Sequence, residues 1–231
     1  LRLLGVNVSL VTAVGGDVYG QGILDSCREL GIDMSLARIL PERRSSTYLY
    51  VTDETGDMQI GIADMEITEC ITLEYLASRM DEINAFDAVV LDANLSAESV
   101  EYAARHCTAP IIADPVSTAK AMRLVPVLDK LWAIKPNIYE AEKLTGEHDP
   151  EKAAAALLDK GVKRVFISLG EEGMLAAERG STVHMPRELV TVVNTTGAGD
   201  AATSAIVWAA LAGMDIAGCA RAAVKAGAIT A

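Results

Sequence analysis

Apolar and polar residues follow two different patterns along the chain. In the first third, residues 8–14 form an apolar run that predicts a strand, and residues 18–30 predict a helix that ends at Gly31. Residues 46–52 and 58–63 then predict two strands, joined by a short polar turn at 53–57 that contains a glycine. This pattern indicates a β-hairpin, and by itself it is consistent with an edge hairpin without a function of its own.

From residue 73 onward, short apolar runs alternate with amphipathic helical segments. The predicted helices are 73–83, 97–106, 139–144 and 150–160, and the predicted strands are 88–91, 111–113, 131–134 and 165–168. Buried strands that alternate with helices are typical of a parallel sheet with crossover helices. The chain is therefore predicted to be an α/β protein with a mainly parallel central sheet, helices on both faces and a small β-hairpin.

Polar residues or glycines follow several of the predicted strands. These are Asp92, Asp114, Asn137, Gly170 and the turn at 197–200. Open parallel sheets bind ligands beyond the carboxyl ends of their strands. We therefore expect these positions to lie at one edge of the sheet and to form the functional site.

The composition narrows the possible partners. With 231 residues the chain is long enough for one large domain, and its net charge of −12 argues against binding to nucleic acid or to an anionic membrane. The four cysteines are widely spaced and no His/Cys spacing suggests zinc, so we expect reduced thiols and a cytoplasmic protein. Neither a membrane-spanning run nor a signal peptide is predicted.

The segment Asn194-Thr195-Thr196-Gly197-Ala198-Gly199-Asp200 carries the strongest chemical signal. It follows an apolar, β-branched run at 189–193 that predicts a strand, and it precedes a helix of small residues predicted at 201–212. A glycine-rich turn before a helix exposes unpaired backbone N–H groups, which attract anions. A carboxylate at that place repels phosphate, so Asp200 is interpreted as a general base while Gly197, Ala198 and Gly199 stabilise a transferring phosphoryl group. The alternative is an ordinary acidic residue in the first turn of a helix.

Together with three other motifs, this segment resembles the signature of the ribokinase-like (PfkB) family of carbohydrate and nucleoside kinases. The other motifs are Lys135-Pro136-Asn137-Ile138-Tyr139-Glu140, Ile167-Ser168-Leu169-Gly170-Glu171-Glu172-Gly173 and Gly16-Asp17-Val18-Tyr19-Gly20. They occur in the family's order over most of the chain. Two further segments, Asp64-Met65-Glu66-Ile67 and Asp114-Pro115-Val116-Ser117, are similar to the pseudouridine kinase branch.

The resemblance implies a single three-layer kinase domain over residues 1–231, with a lid hairpin at about 45–67 that also forms a homodimer contact. It implies ATP and Mg²⁺ as cofactors, with Glu140 at the metal; the alternative for Glu140 is a helix N-terminal carboxylate. Nucleotide contacts are expected from Asn137, Ser168, Gly170, Gly173 and Thr196, and substrate contacts from Asp17, Thr47, Asp64, Met65 and Asp92.

Two features depart from the family pattern. Asn194 stands where many members have an Asp that helps to hold a monovalent cation, so activation by such a cation is left open. Residues 1–5 resemble the tail of a helix and residues 228–231 lie inside a predicted one, so we expect family segments beyond both ends, including parts of the substrate and adenine sites.

The function implied is ATP-dependent phosphorylation of a ribosyl 5′-hydroxyl, with pseudouridine as the favoured substrate. Another sugar or nucleoside kinase of the same family, such as ribokinase, is the nearest alternative. A non-catalytic sugar or nucleotide sensor on the same scaffold is a second, although it would have no need of Asp200. A nicotinamide-dependent dehydrogenase is disfavoured because no G-x-G-x-x-G follows a first strand.

Overall fold

A computed structural model describes residues 1–52, 58–188 and 196–230. The chain divides into two compact units, the first unit Leu1–Arg79 and the second unit Met80–Ala231. The predicted hairpin turn at 53–57, the predicted strand at 189–193 and Asn194 lie outside the described residues.

The first unit contains two small sheets. Strand β1 (Ala13–Gly15) pairs in parallel with β2 (Arg38–Leu40), and helix α1 (Val18–Leu30) connects them. Strands β3 (Thr47–Thr52) and β4 (Met58–Asp64) pair antiparallel, which confirms the predicted hairpin. The strand predicted at 8–14 is wrong in extent, because the regular strand begins only at Ala13 and Ser9 forms just an isolated bridge with Asp33.

The second unit is built on a six-stranded sheet. Its strands lie in the order β10, β9, β8, β7, β6, β5, and β5 to β8 run parallel, whereas β9 and β10 are antiparallel additions at one edge. The strands are β5 Val89–Asp92, β6 Ile111–Asp114, β7 Ala133–Ile134, β8 Arg164–Ser168, β9 Met174–Glu178 and β10 Ser181–Met185. The mainly parallel sheet is thereby confirmed, with helices on both faces.

The remaining helices are α2 Leu73–Ile83, α3 Ala97–His106, α4 Thr118–Ala121, α5 Ile138–Thr145, α6 Pro150–Asp159, α7 Ala198–Leu211 and α8 Ile216–Thr230. Short 3₁₀ segments occur at Arg2–Leu4, Glu66–Cys70, Met122–Lys130 and Gly170–Glu172. Several helices start where the sequence supplies a cap. Asp149 accepts the Lys152 N–H ahead of Pro150 at the first turn of α6, and Ser96 accepts the Ser99 N–H at α3.

The core of the second unit explains why its strands read as continuous apolar runs. Ile111, Ile134, Val165 and Ile167 are at most 1% exposed and pack in one cluster together with Leu157 of α6. Strands covered on both faces need apolar side chains at successive positions. In the parallel strands β5 to β8, polar residues therefore occur only at the strand ends, where the candidate site lies.

Candidate active site

The polar strand ends of the second unit meet at one edge of the sheet, as predicted. Asp92 and Asp114 are partners in register at the ends of β5 and β6. Lys135 follows β7, and its Nζ lies 3.5 Å from Asp114 Oδ2. Asn137 forms an isolated bridge with Ser168 at the end of β8. Four strand ends thus present polar groups side by side.

The Asp114 carboxylate is held from several sides. Its Oδ1 accepts the Val116 N–H at 2.9 Å, and its Oδ2 accepts the Thr203 hydroxyl of α7 at 2.8 Å. Val116 has a φ of 66°, and the Ser117 N–H donates to the Pro115 carbonyl across it, so the chain forms a γ-turn of the strained, positive-φ kind. The strained turn aims a backbone donor at the Asp114 carboxylate.

Helix α7 begins three residues earlier than the sequence predicted, at Ala198 instead of 201. Gly197 precedes the first turn with a φ of 86°, a left-handed conformation that side chains rarely adopt. Gly197 itself has no side chain that could cap this end, and the N–H groups of the first turn are placed to bind an anion. A Cβ built on Gly199 would lie 3.7 Å from Lys135 Nζ, which places a cation beside the turn. The glycine turn at 197–199, the start of α7 and Lys135 together form a site suited to an anion, called the anion-binding corner below.

Asp200 is the third residue of α7 and lies at this corner. The residue as a whole is exposed, but protein atoms surround part of its carboxylate. The resulting loss of solvent is the largest cause of its raised pKa. The negative charges of Asp114 and Asp92 raise this pKa further, and Lys135 lowers it. A carboxylate with a raised pKa accepts a proton more readily than an ordinary Asp, which suits a general base.

Asn137 and Glu140 form a capping box at the start of α5. The Asn137 side chain accepts the Glu140 N–H at 2.9 Å, and Glu140 Oε2 accepts the Asn137 N–H at 2.8 Å. Burial raises the pKa of Glu140, and the charge of Asp114 adds to this, while the Asn137 N–H and Lys135 act in the opposite direction. The structure therefore gives Glu140 a helix-capping contact through one of its two oxygens.

The residues at this edge fit a magnesium ion that is shared with nucleotide phosphates. Among the described residues no group of three His, Cys, Asp or Glu side chains is arranged to hold a metal by itself. Mg²⁺ bound with phosphates needs only one or two protein carboxylates and keeps several waters. Glu140 Oε1 has no protein partner in the described part of the chain, and the surrounding carboxylates favour a cation.

Lys135 is the residue that sequence reasoning missed. A lysine at a strand end is ordinarily exposed, but Lys135 is buried and only 5% exposed. The one available signal was its position directly before the Pro-Asn pair of the capping motif. Its burial follows from the Asp114 partner on the neighbouring strand, which sequence spacing alone does not reveal.

Asp92 is engaged by its own loop. Asn94 donates to both Asp92 oxygens, through its backbone N–H at 2.8 Å and its side-chain amide at 2.9 Å. Lys120 donates to Asn94 Oδ1 at 2.6 Å. Arg123 donates hydrogen bonds to the backbone carbonyls of residues 93, 94 and 95 in this loop. Both Asp92 oxygens thus accept a hydrogen bond from its own loop, and the sugar contact of Asp92 stays a prediction.

The positions nominated for the nucleotide lie on two turns. Ser168 ends β8, and Gly170 begins the 3₁₀ segment that follows it. Gly173 has a φ of 93°, and a Cβ there would lie 2.1 Å from the Met185 carbonyl oxygen, so close backbone packing alone requires this glycine. Thr196 is exposed and precedes the start of α7.

The other nominated substrate residues belong to the first unit. Thr47 and Asp64 are cross-strand partners on the hairpin, and Met65 follows directly. Asp17 Oδ1 accepts the Gly20 N–H and its Oδ2 accepts the Ser45 N–H, both at 2.8 Å, so its pKa is lowered mainly by these backbone donors. Asp17 thus joins the start of α1 to the segment before β3, and its contact with substrate stays a prediction.

Comparison with known proteins identifies the relatives of this chain. It is 35% identical over 208 residues to pseudouridine kinase of Escherichia coli, which covers 87% of this chain and 66% of that protein. It is 28% identical over 216 residues to ribokinase of Bacillus subtilis, covering 92% of this chain and 71% of that protein. A solved carbohydrate kinase from Agrobacterium tumefaciens superimposes with a TM-score of 0.85 at 28% identity, over 99% of this chain and 76% of that one.

The chain spans about two thirds of the length of the curated relatives it matches. No helix within the described ranges has the length and apolar character needed to cross a membrane. The fold is ribokinase-like, as the solved neighbours show. Residues 1–231 match the pfkB family of carbohydrate kinases, and the chain belongs to that family.

Proposed function

We propose that this protein transfers the γ-phosphoryl group of ATP to a ribosyl 5′-hydroxyl, with Asp200 as the general base. The observation that carries this proposal is the position of Asp200 in the first turn of α7, after the glycine turn and close to Lys135. A base beside an anion-binding helix start is the arrangement that phosphoryl transfer to a hydroxyl requires.

In the proposed reaction Asp200 takes the proton of the attacking hydroxyl. The N–H groups at the start of α7 stabilise the charge that builds up on the transferring phosphoryl group. Desolvation and the nearby carboxylates favour the protonated form of Asp200, so they support proton uptake during the attack. Lys135 acts in the opposite direction, because its positive charge lowers the pKa of Asp200 and favours the ionised carboxylate.

Mg²⁺ is proposed as the accompanying ion, with Glu140 as its protein carboxylate through bound water. When bound, the ion would neutralise charge on the phosphate oxygens. The capping box restrains Glu140, because one of its oxygens accepts the Asn137 N–H while the other is directed to no protein group among the described residues. Asn137, Ser168, Gly170, Gly173 and Thr196 remain the proposed nucleotide contacts.

Pseudouridine is the proposed substrate, since the Escherichia coli pseudouridine kinase is similar to this chain at 35% identity, compared with 28% for the Bacillus subtilis ribokinase. Asp64 and Thr47 are neighbours on the hairpin, which supports their nomination for the sugar hydroxyls. Another sugar or nucleoside is the alternative substrate at the same site.

Steady-state assays with pseudouridine, uridine, ribose and fructose test the substrate. We expect the highest kcat/KM for pseudouridine, and equal values for ribose and pseudouridine would contradict the narrow proposal. An Asp200→Asn variant is expected to bind ATP normally and to lose at least 10³-fold in kcat. A variant that turns over at the wild-type rate would exclude Asp200 as the base.

The hairpin is also proposed as a homodimer contact. Leu49 with Ile62 and Val51 with Ile60 are cross-strand partners, and each of the four side chains is at least 59% exposed. Exposed apolar clusters of this kind mark interaction surfaces. An Ile62→Glu variant is expected to be monomeric in light scattering. The four cysteines, all free thiols, support the proposed cytoplasmic location.

A further inference from the structure

We propose that Thr203 is a positioning residue for Asp200, and that it acts through its hydrogen bond to Asp114. The inference rests on the proposed function, since it concerns the direction of the proposed base. Thr203 was not among the residues nominated from the sequence, and it lies one helical turn beyond Asp200.

The contact joins helix α7 to strand β6. The Thr203 hydroxyl lies 2.8 Å from Asp114 Oδ2 and 3.1 Å from the Gly199 carbonyl oxygen. A threonine inside a helix ordinarily bonds back to the carbonyl four residues earlier. Here the shorter contact is to a carboxylate, and hydrogen bonds to ionised acceptors are the stronger ones, so the hydroxyl proton goes to Asp114.

The contact controls the rotation of α7 about its own axis. Residues three apart are neighbours on one side of a helix, so a rotation of α7 moves Thr203 and Asp200 together. A side-chain oxygen lies about 5 Å from the helix axis, so a rotation of about 20° moves it by about 1.7 Å. A displacement of about 1 Å in a reacting group can reduce a rate by about 100-fold. By preventing such a rotation, the Thr203 contact limits displacements of Asp200 that are large enough to slow the proposed proton transfer.

Asp114 is a firm anchor for this contact. The strained turn at Val116 directs an N–H to Asp114 Oδ1, and the buried Lys135 lies beside Oδ2. Strained backbone persists only where the surrounding structure determines it strongly. Because the strand, the turn and the lysine all restrain Asp114, a bond to this residue transfers their rigidity to α7.

A merely structural threonine would behave differently. Thr203 is 5% exposed, and valine has nearly the same shape, so Thr203→Val removes the hydroxyl and leaves the packing in place. A structural role alone predicts a loss of stability with an unchanged kcat for the folded protein. A positioning role predicts a loss of kcat while KM for ATP and for the nucleoside changes little, because neither substrate contacts Thr203 in the proposed mechanism.

The experiment measures kcat and KM of the intact chain with ATP, Mg²⁺ and pseudouridine, for wild type, Thr203→Val, Thr203→Ser and Ser204→Ala. Ser204 is the matched control, since it is the next hydroxyl on the same helix and makes no hydrogen bond to Asp114. We expect at least a tenfold loss of kcat for Thr203→Val, with KM values within twofold of wild type. Thr203→Ser, which keeps the hydroxyl, is expected within threefold of wild type, and Ser204→Ala is expected to be unchanged.

Thermal denaturation of each variant confirms that the assays compare folded proteins. An active wild type combined with an unchanged kcat for Thr203→Val overturns the positioning role and leaves the proposed function intact. Failure of Thr203→Ser to recover activity also overturns it, because the hydroxyl would then not be the relevant group. A wild type that transfers no phosphate to any tested nucleoside or sugar overturns the proposed function, and the positioning inference with it.

Discussion

Replacement of Lys135 by methionine tests the central ion pair of the site. Methionine keeps most of the buried stem of the lysine and removes only the charge. Lys135 and Asp114 are 6% and 17% exposed at their side chains, and their charged atoms are 3.5 Å apart. At an effective dielectric constant of about 20, two unit charges at that distance attract by about 5 kcal/mol. Loss of one member of a buried pair leaves the other charge uncompensated, which commonly costs 3–5 kcal/mol.

We expect Lys135→Met to lower the free energy of unfolding by about 3 kcal/mol, at the lower end of that range. The reason for the lower value is that Asp114 keeps two hydrogen bonds, from Val116 and Thr203, and is partly solvated. The double variant Lys135→Met with Asp114→Asn is expected to lose less than Lys135→Met alone, because it contains no unpaired buried charge.

Lys130 supplies the matched control. It forms an ion pair with Asp129 at 3.2 Å, a shorter distance than that of the buried pair, but the two side chains are 43% and 55% exposed. Exposed pairs contribute between about 0 and 1 kcal/mol, so Lys130→Met is expected to lose less than about 1 kcal/mol. Distance alone would rank the two variants in the opposite order, and burial is what separates them.

Urea unfolding followed by tryptophan fluorescence measures both variants. The two tryptophans, Trp132 and Trp208, belong to the second unit, so the signal reports the unit that contains the ion pair. If Lys135→Met and Lys130→Met differ by less than about 0.5 kcal/mol, the reasoning from burial is refuted.

Four further predictions concern single positions of the site. Glu140→Gln can keep the capping box, so we expect unfolding within about 0.5 kcal/mol of wild type and at least a tenfold higher Mg²⁺ requirement for half-maximal activity. Gly199→Ala is expected to leave stability unchanged and to lower kcat at least tenfold, whereas Gly22→Ala, a control in open space, should leave kcat unchanged. Val116→Gly relieves the positive φ and should raise the unfolding free energy by about 1 kcal/mol in urea titrations. Because the pKa of Asp200 is raised and the base must be ionised, kcat should fall with decreasing pH at values above the ordinary Asp range near 4, which a pH–rate profile measures.

The parts of the fold that follow from local pattern could be predicted from the sequence. Apolar runs located the parallel strands β5 to β8, and strand-end polarity placed Asp92, Asp114 and Asn137 at one edge. The antiparallel pair β9 and β10 was missed. Arg179-Gly180 joins the two strands with Gly180 at a φ of 82°, but Arg-Gly is not one of the dipeptides that mark a tight hairpin in a sequence. A buried strand without alternation does not reveal its direction, so neighbouring turns must supply it.

The parts of the site that depend on distant partners could not be predicted. The burial of Lys135 depends on Asp114, and the role of Thr203 depends on a contact across 89 positions of the sequence. The Asn137-x-x-Glu140 spacing had two explanations, a metal site and a capped helix. The structure shows the capping box directly, and it leaves the metal role of the second oxygen as a proposal.

Asp114 affects the proposed base in two ways that a single substitution at Asp114 cannot separate. Its charge raises the pKa of Asp200, and its bond to Thr203 fixes the helix that carries Asp200. Thr203→Val removes the bond and leaves every charge in place, so it measures the geometric part. Lys135→Met removes a charge that lowers the pKa of Asp200 and leaves the Thr203 bond in place, so the acid limb of the pH–rate profile should move to higher pH. A shift of that limb in Lys135→Met but not in Thr203→Val would show that the charge of Lys135 acts on the pKa of Asp200 and that the Thr203 bond does not.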